Sequence, residues 1–190
     1  MPTVVIPFTG AAGKTRLHES AEVRAELSTA MFEDVLAACR PIGPVRVVTP
    51  DEAASGEHGD IEVVTDPGYG QGAAVAEALA GVEGAVVVVN ADLPCAVPSD
   101  IRLLAETAPA LVAAADGTTN ALSLPSAAAF EPLYGAGSAE RFHAQCGAVS
   151  MALPNLADDV DTMDDLARLQ FRVGPRTLVV LGRLQRGELA

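Results

Sequence analysis

The first candidate for chemistry is a loop of small residues that ends in two cations. It reads Gly10-Ala11-Ala12-Gly13-Lys14-Thr15-Arg16 and follows a short β-branched segment, Thr3-Val4-Val5-Ile6. Glycines let the backbone approach a phosphate, and the N-terminus of a following helix adds partial positive charge. Lys14 is the one lysine among twelve basic residues. Gly10, Gly13, Lys14 and Arg16 are therefore predicted to bind a polyphosphate, with a plain strand–helix turn as the structural alternative.

The same loop is close to a Walker A motif, G-x-x-x-x-G-K-[ST]. Gly13-Lys14-Thr15 fits the second half of the motif, but Phe8 stands where the first glycine is required. A P-loop kinase is therefore a weaker alternative.

Acidic residues form a second candidate, a cation site. Asp92 closely follows the apolar run Val86-Val87-Val88-Val89. A carboxylate at the carboxyl end of a central strand can hold Mg²⁺ between phosphate oxygens. Asp159 and Asp161 flank Val160, and on an extended segment both would point the same way. One or both are predicted to complete a magnesium site with Asp92; an Asx turn and a solvated acidic turn are the alternatives.

A neighbouring acidic pair has a structural explanation instead. Thr162 precedes a helical pattern and is followed by Asp164 and Asp165. A threonine N-cap with carboxylates in the first turn stabilises a helix start, so these two aspartates are not predicted to be ligands.

Two further segments combine hydroxyls with glycines. Thr119-Asn120 follows Gly117, and Gly135 and Ser138 enclose a second turn. Backbone N–H groups in such turns bind phosphate or carboxylate oxygens. Thr119, Asn120, Gly135 and Ser138 are predicted to contact an anionic substrate, although Ser138 is also a suitable N-cap for the helix that follows.

The pattern of apolar residues predicts the elements that position these groups. Strands are predicted at 45–49, 61–64, 85–90, 111–115, 121–124 and 148–153 besides the first one, and helices at 20–40, 72–80, 98–106, 138–146 and 162–173. The all-valine strand is apolar on both faces, which is typical of a central strand covered by helices on both sides. The fold class is therefore α/β, a three-layer, mostly parallel sheet in one domain spanning 1–190. Residues 174–190 are a tail that could form an edge strand, a helix or a partner contact.

Composition narrows the function classes. The 190 residues are 49% hydrophobic and carry a formal charge of −13. That charge disfavours nucleic acid and anionic membranes as partners. The sequence shows no transmembrane run and no leader, and its three cysteines are widely spaced. We therefore expect a cytoplasmic protein with reduced thiols.

The ordered set of motifs resembles a known family, the 2-phospho-L-lactate guanylyltransferases of coenzyme F420 biosynthesis. The resemblance covers about residues 4–169. Its most specific part is Thr118-Thr119-Asn120-Ala121-Leu122 followed by Tyr134-Gly135-Ala136-Gly137-Ser138, and it also includes Val4–Pro7, Gly13–Leu17, Ala30–Leu36, Ala91–Leu93 and Asp159–Thr162. The resemblance implies a MobA-like, GT-A-like nucleotidyltransferase fold and a homodimer.

Residue by residue, the resemblance implies GTP phosphates on Lys14 and Arg16, and Mg²⁺ on Asp92 with Asp159 or Asp161. The phosphorylated acid would contact Thr119, with Asn120 adjacent, together with Gly135 and Ser138. Two departures stand out. Many relatives have a lysine where Phe8 stands, and a Gly-Leu-Asn element where this chain reads Gly68-Tyr69-Gly70-Gln71-Gly72. If the asparagine contacts the base, Gln71 is its substitute here.

The implied reaction is nucleotidyl transfer. A phosphate oxygen of 2-phospho-L-lactate, phosphoenolpyruvate or 3-phosphoglycerate attacks the α-phosphorus of GTP, and pyrophosphate leaves. Catalysis would rest on positioning and charge neutralisation by Lys14, Arg16 and Asp92. The sequence does not distinguish the three acids. A nucleotidyltransferase with another acceptor (molybdopterin or a sugar phosphate), a P-loop-like kinase and a non-catalytic GTP-binding domain stay open as alternatives.

Overall fold

The computed structural model describes residues 1–10, 17, 20–50 and 58–189. Within them, seven strands are β1 (Thr3–Pro7), β2 (Val45–Thr49), β3 (Ile61–Thr65), β4 (Val86–Val89), β5 (Ala110–Ala113), β6 (Thr119–Leu124) and β7 (Val149–Ser150). The helices are α1 (Ala21–Cys39), α2 (Gln71–Ala78), α3 (Pro98–Glu106), α4 (Ser138–Cys146), α5 (Pro154–Ala157), α6 (Met163–Leu169) and α7 (Pro175–Gln185).

The strands form one mixed sheet in the order β3-β2-β1-β4-β6-β5-β7. All neighbouring pairs are parallel except those that involve β6, which is antiparallel to both β4 and β5. The mostly parallel sheet predicted from sequence is therefore confirmed, with one reversed strand. Because β6 runs opposite to β4, its first residues lie beside the carboxyl end of β4, which is the edge where α/β proteins bind ligands.

Both faces of the sheet are covered by helices, as the all-valine run indicates. All four valines of β4 are fully buried. Val87 and Val89 pack in one cluster with residues of α1 and α3, including Phe32 and Ile101. Val86 and Val88 pack in the opposite cluster, with α2 and with Phe142 of α4. The layered arrangement holds the carboxyl end of β4 rigidly, since its strand is packed on both sides.

The C-terminal tail is a helix that packs on α1, so the edge-strand option for residues 174–190 is wrong. Val180 and Leu181 of α7 share a buried cluster with Leu27 and Met31 of α1. Asp34 of α1 accepts hydrogen bonds from the backbone amides at the start of α7 (3.1 and 2.9 Å). A carboxylate from a distant helix thus serves as the N-terminal cap of α7.

Most element bounds agree with the sequence pattern, and α3 and α4 agree at both ends. The strand predicted at 148–153 is wrong in length, since β7 covers only Val149–Ser150. Pro154 explains part of the difference, because it starts α5 and proline is favoured in the first turn of a helix. In the described part of the chain, no helix combines the length and the apolar character needed to cross a bilayer.

Candidate functional site

The reversed strand brings two separate sequence segments together at the end of β4. The amide of Asn90 donates to the carbonyl of Asn120 (3.0 Å), which extends the β4–β6 ladder by one pair. Asp92 follows two residues later. Residues predicted to hold a cation and residues predicted to bind the acid are therefore neighbours at one edge of the sheet.

Three carboxylates meet there. One ligand oxygen from each of Asp92, Asp159 and Asp161 lies within 4.8 Å of the other two. The amide of Val160 donates to the carbonyl of Asp92 (3.1 Å), so the residue between the two later aspartates is fixed to the first. The sequence prediction that one or both of Asp159 and Asp161 join Asp92 agrees with this geometry, in which both lie close to it.

The backbone on either side of Asp161 is held by the helix that follows. Thr162 and Asp165 form a capping box at the start of α6, as predicted for Thr162. The Asp165 carboxylate also accepts from the amide of Asp161 (3.2 Å). Partial burial opposes ionisation of Asp165, but hydrogen bonds from Thr162 and from these amides lower its pKa overall. A charged Asp165 thus orients the segment that carries Asp161.

Asp158, which directly precedes Asp159, is held by two arginines. Asp158 accepts from Arg168 (2.8 Å) and from Arg172 (2.7 Å). Partial burial acts against the charged form, yet these two hydrogen bonds lower the pKa of Asp158 overall. Its charge is offset locally, so it does not point to a cation ligand.

The electrostatics of Asp159 are opposite to those of Asp158. Burial is the largest cause that raises its pKa, and the neighbouring Asp92 charge raises it further. A side-chain hydrogen bond from Asn120, with Nδ2 at 3.5 Å from Oδ1, offsets part of this. Three half-buried carboxylates in this arrangement repel one another, and a divalent cation would remove the repulsion.

A cavity of about 190 Å³ extends from Asp92 toward the start of α2. Its apolar wall includes Phe8 and Met31, and its polar wall includes Asp66, Gln71 and Asn90. The cavity thus connects the carboxylate group with Gln71, the residue predicted to face a base.

The phosphate loop is described only at its start. Gly10 has a φ of 62°, a left-handed conformation that favours glycine. Its carbonyl accepts from the Ser28 hydroxyl of α1 (3.0 Å). Gly13, Lys14 and Arg16 lie outside the described residues, so their assignment to phosphate binding stays a prediction.

Phe8 accounts for the departure from the Walker A pattern. Its ring stacks on Phe32 with centroids 4.4 Å apart, and only 2% of its surface is exposed. The position is occupied by a core aromatic packed on α1, where a P-loop would need a flexible glycine. The kinase alternative is weakened by this packing.

Three of the four residues predicted to contact the acid, Thr119, Gly135 and Ser138, are joined by hydrogen bonds. The hydroxyls of Thr119 and Ser138 share a hydrogen bond of 2.9 Å, and both side chains are buried. The amide of Ser138 donates to the carbonyl of Gly135 (3.0 Å). Gly137 occupies the N-cap position of α4, so the reading of Ser138 as that N-cap is wrong. Its hydroxyl joins β6 to α4 instead.

A second cavity of about 470 Å³ opens beside this turn. Gly135 and Tyr134 line it, and so does Gln71 from the opposite side. Gln71 therefore separates the cavity next to the carboxylates from the cavity next to Gly135. The side chain of Asn120 points toward the carboxylate group and not toward this cavity. Its Nδ2 donates to the carbonyl of Ala157 (3.1 Å), and this contact supports the segment that carries Asp159.

Sequence reasoning missed two residues of this site. Asp66 lines the smaller cavity and accepts from the Gly68 amide (2.8 Å) as the first residue of a turn. Asn90 lines the same cavity and bonds to Gln71. Asp66 directly follows β3 and Asn90 directly follows β4, at the edge where ligands bind, and a polar residue at the end of a strand was the available signal.

Comparison with known proteins agrees with this architecture. The model of the MobA-like NTP transferase domain matches residues 22–153. A phosphoenolpyruvate guanylyltransferase of Streptomyces avermitilis is 34% identical over 96% of this chain and 94% of its own length. One from Mycolicibacterium smegmatis is 33% identical over 87% and 83%.

Solved structures show the same fold at low identity. A candidate nucleotide-diphospho-sugar transferase from Desulfovibrio desulfuricans superposes with a TM-score of 0.74 at 17% identity, covering 96% of both chains. The 2-C-methyl-D-erythritol 4-phosphate cytidylyltransferase of Thermus thermophilus gives 0.56 at 17% identity, covering 95% of this chain and 99% of its own. The chain therefore belongs to the MobA-like NTP transferase domain family and, within it, to the family of the phosphoenolpyruvate guanylyltransferases that it matches over most of its length.

Proposed function

We propose that this chain is a guanylyltransferase that joins GTP to a small phosphorylated acid, with phosphoenolpyruvate as the first acceptor to test. The observation that carries the proposal is the meeting of three carboxylates with a cavity that ends at Gln71 and Asp66. The names of the relatives supply the acceptor. The family that the sequence resembles places the reaction in coenzyme F420 biosynthesis.

The carboxylate group fits a divalent cation. Its donors are oxygen atoms of Asp92, Asp159 and Asp161, the hard ligands that Mg²⁺ prefers. When bound, Mg²⁺ would supply charge neutralisation between the triphosphate and the acid. The chain's own part is to hold the three oxygens in place through the Val160–Asp92 hydrogen bond and the Asp165 cap.

The bond changes are those of an in-line displacement. A phosphate oxygen of the acid forms a bond to the α-phosphorus of GTP, the α–β bridge breaks, and pyrophosphate carries away the electron pair. The attacking oxygen is already ionised at neutral pH, so no side chain has to remove a proton. Positioning and electrostatic stabilisation therefore suffice, and Lys14 and Arg16 are predicted from sequence to contact the triphosphate.

Guanine selection has a chemical basis in the smaller cavity. Guanine presents two adjacent donors, N1–H and the 2-amino group, whereas adenine presents one donor beside an acceptor. Asp66 and Gln71 line the cavity together, and a carboxylate and an amide oxygen offer the two acceptors that guanine requires. A base that leaves one of them unpaired binds less well.

We assign the phosphorylated acid to the larger cavity, which Gly135 lines. Thr119, Gly135 and Ser138 are joined by hydrogen bonds, and Gly135 lines the larger cavity. The turn offers backbone amides near Gly135, and amides in such turns suit phosphate and carboxylate oxygens.

A pyrophosphate-release assay tests the proposal. Four nucleoside triphosphates are crossed with phosphoenolpyruvate, 2-phospho-L-lactate and 3-phosphoglycerate in the presence of Mg²⁺. Release of pyrophosphate from GTP with one of these acids supports the proposal. GDP together with a further phosphorylated acid would indicate a kinase, and GDP together with inorganic phosphate would indicate a GTPase. GTP binding without turnover would indicate a regulatory domain.

A further inference from the structure

Two side-chain amides are linked between the base cavity and strand β6. Asn90 Nδ2 donates to the carbonyl oxygen of Thr119 (3.3 Å), and Gln71 Nε2 donates to Asn90 Oδ1 (2.7 Å). A backbone carbonyl only accepts hydrogen bonds. The amide nitrogen of Asn90 must therefore face Thr119, and this leaves its oxygen to face Gln71.

The direction of the Gln71 amide follows from that of Asn90. Because Asn90 presents an oxygen, Gln71 must present its nitrogen to it. The Gln71 oxygen is then the atom left to accept a hydrogen bond, and the side chain lies on the wall of the nucleotide cavity. The direction of both amides is thus set by a fixed acceptor in the β-sheet.

We propose that Asn90 is a positioning residue for nucleotide selection, which acts by holding the Gln71 amide with its oxygen available to the base. The inference rests on the proposed function for the identity of the base. An unheld glutamine rotates freely and offers its nitrogen as readily as its oxygen. It would accept from guanine, but it would also donate to the ring acceptor of adenine, and discrimination would fall.

Asn90 is well suited to this task because its own backbone is fixed. The backbone amide of Asn90 donates to the carbonyl of Asn120 (3.0 Å), which continues the ladder between β4 and β6. A direct contact between Asn90 and the nucleotide is not needed for the effect. Asn90 acts through Gln71. In the same way, residues that hydrogen-bond a metal-ligating side chain fix its orientation without touching the metal.

Calorimetric binding of GTP and ATP with Mg²⁺, without an acid, tests the inference. The variants are Asn90→Ala, Gln71→Ala and the double variant, with Asn155→Ala as the matched control. Asn155 bonds to Asp100 and Arg172, away from the residues that line the cavity. We expect Asn90→Ala to lower the GTP-to-ATP affinity ratio about tenfold, because GTP binding weakens when the Gln71 oxygen is no longer held and ATP binding strengthens when its nitrogen can face the base.

The double variant separates positioning from a general structural role. If Asn90 acts through Gln71, the double variant has the same ratio as Gln71→Ala alone. A ratio in Asn90→Ala equal to that of the wild type would overturn the inference, and so would independent losses that multiply in the double variant. Should Asn90→Ala not fold, Asn90→Ser gives the same test, because its side chain is too short to reach Gln71.

Failure of the proposed function gives a different result. A wild-type protein that prefers GTP in binding, yet releases no pyrophosphate with any of the acids, contradicts the transferase activity. The GTP-to-ATP affinity ratio of Asn90→Ala would then still decide whether Asn90 positions Gln71. A wild-type protein that binds GTP and ATP equally would overturn the assignment of Gln71 and Asn90 to base selection.

Discussion

The backbone amide of Val160 donates a 3.1 Å hydrogen bond to the carbonyl oxygen of Asp92. This contact joins two segments that are far apart in sequence, the turn after β4 and the turn before α6. It sets the spacing of the acidic group, because Val160 lies between Asp159 and Asp161. The main chain therefore places the carboxylates, and their side chains do not depend on a bound ion to come together.

Asp92→Asn tests the role of the first carboxylate. The substitution keeps the shape of the side chain and removes one of three negative charges, so we expect turnover to fall by about a hundredfold or more with the fold intact. Pyrophosphate release at matched Mg²⁺ measures the effect. Asp100→Asn, in helix α3, is the charge-matched control and should retain activity. Near-native turnover in Asp92→Asn would rule out its assigned role.

Asp159→Asn tests the repulsion within the acidic group. The pKa of Asp159 is raised by burial and by Asp92, so the folded state favours its protonated form. Ionisation therefore costs stability, and this cost grows as the pH rises through the raised pKa and is absent at lower pH. In chelator at neutral pH, the variant should melt above the wild type, by roughly 2 °C.

The difference should shrink as the pH is lowered toward 4, because wild-type Asp159 then takes up a proton. Adding Mg²⁺ should raise the melting temperature of the wild type more than that of Asp159→Asn. Thermal unfolding with and without chelator supplies both comparisons. An equal Mg²⁺ response in the two proteins would exclude Asp159 as a ligand.

The core of the fold could be predicted from sequence because its signals are local. A run of four valines is apolar on both faces, and this alone indicates a central strand with two helical layers. Proline at the start of α3 and glycine after α4 set helix bounds that agree with the structure. These patterns need no knowledge of distant contacts.

The direction of β6 could not be predicted in the same way. Its residues fit a strand in either direction, and the choice depends on pairing with β4 and β5. That reversal is what brings Thr119 and Asn120 to the site. The roles of Asn90 and Gln71 depend on it too, since their hydrogen bonds end on a β6 carbonyl.

Lys14→Ala tests the predicted phosphate loop. The lysine charge should offset negative charge on the triphosphate, so we expect kcat/KM for GTP to fall about tenfold or more in Lys14→Ala. Lys14→Arg keeps the positive charge and should retain part of the wild-type kcat/KM. Steady-state kinetics at saturating acid give the value. Arg102→Ala, which removes an exposed charge on α3, is the control and should behave as the wild type. An unchanged kcat/KM in Lys14→Ala would contradict the loop assignment.

Thr119→Val tests the acid side of the site. The substitution conserves volume but removes the hydroxyl bonded to Ser138, and both side chains are buried. We expect KM for the acid to rise about three- to tenfold, with KM for GTP little changed. Thr107→Val, at a half-buried position after α3, controls for the loss of a hydroxyl. A change confined to KM for GTP would contradict the assignment of this turn to the acid.

Asp34→Ala tests the connection between α1 and the C-terminal helix. Asp34 is buried and accepts from the amides of Arg176 and Thr177, so its loss leaves the start of α7 uncapped. We expect a cost of about 1–2 kcal/mol in the free energy of unfolding, measured by urea denaturation. Asp60→Ala removes an exposed ion pair with Arg40 and should cost much less. Equal stability of the two variants would show that α7 does not depend on this cap.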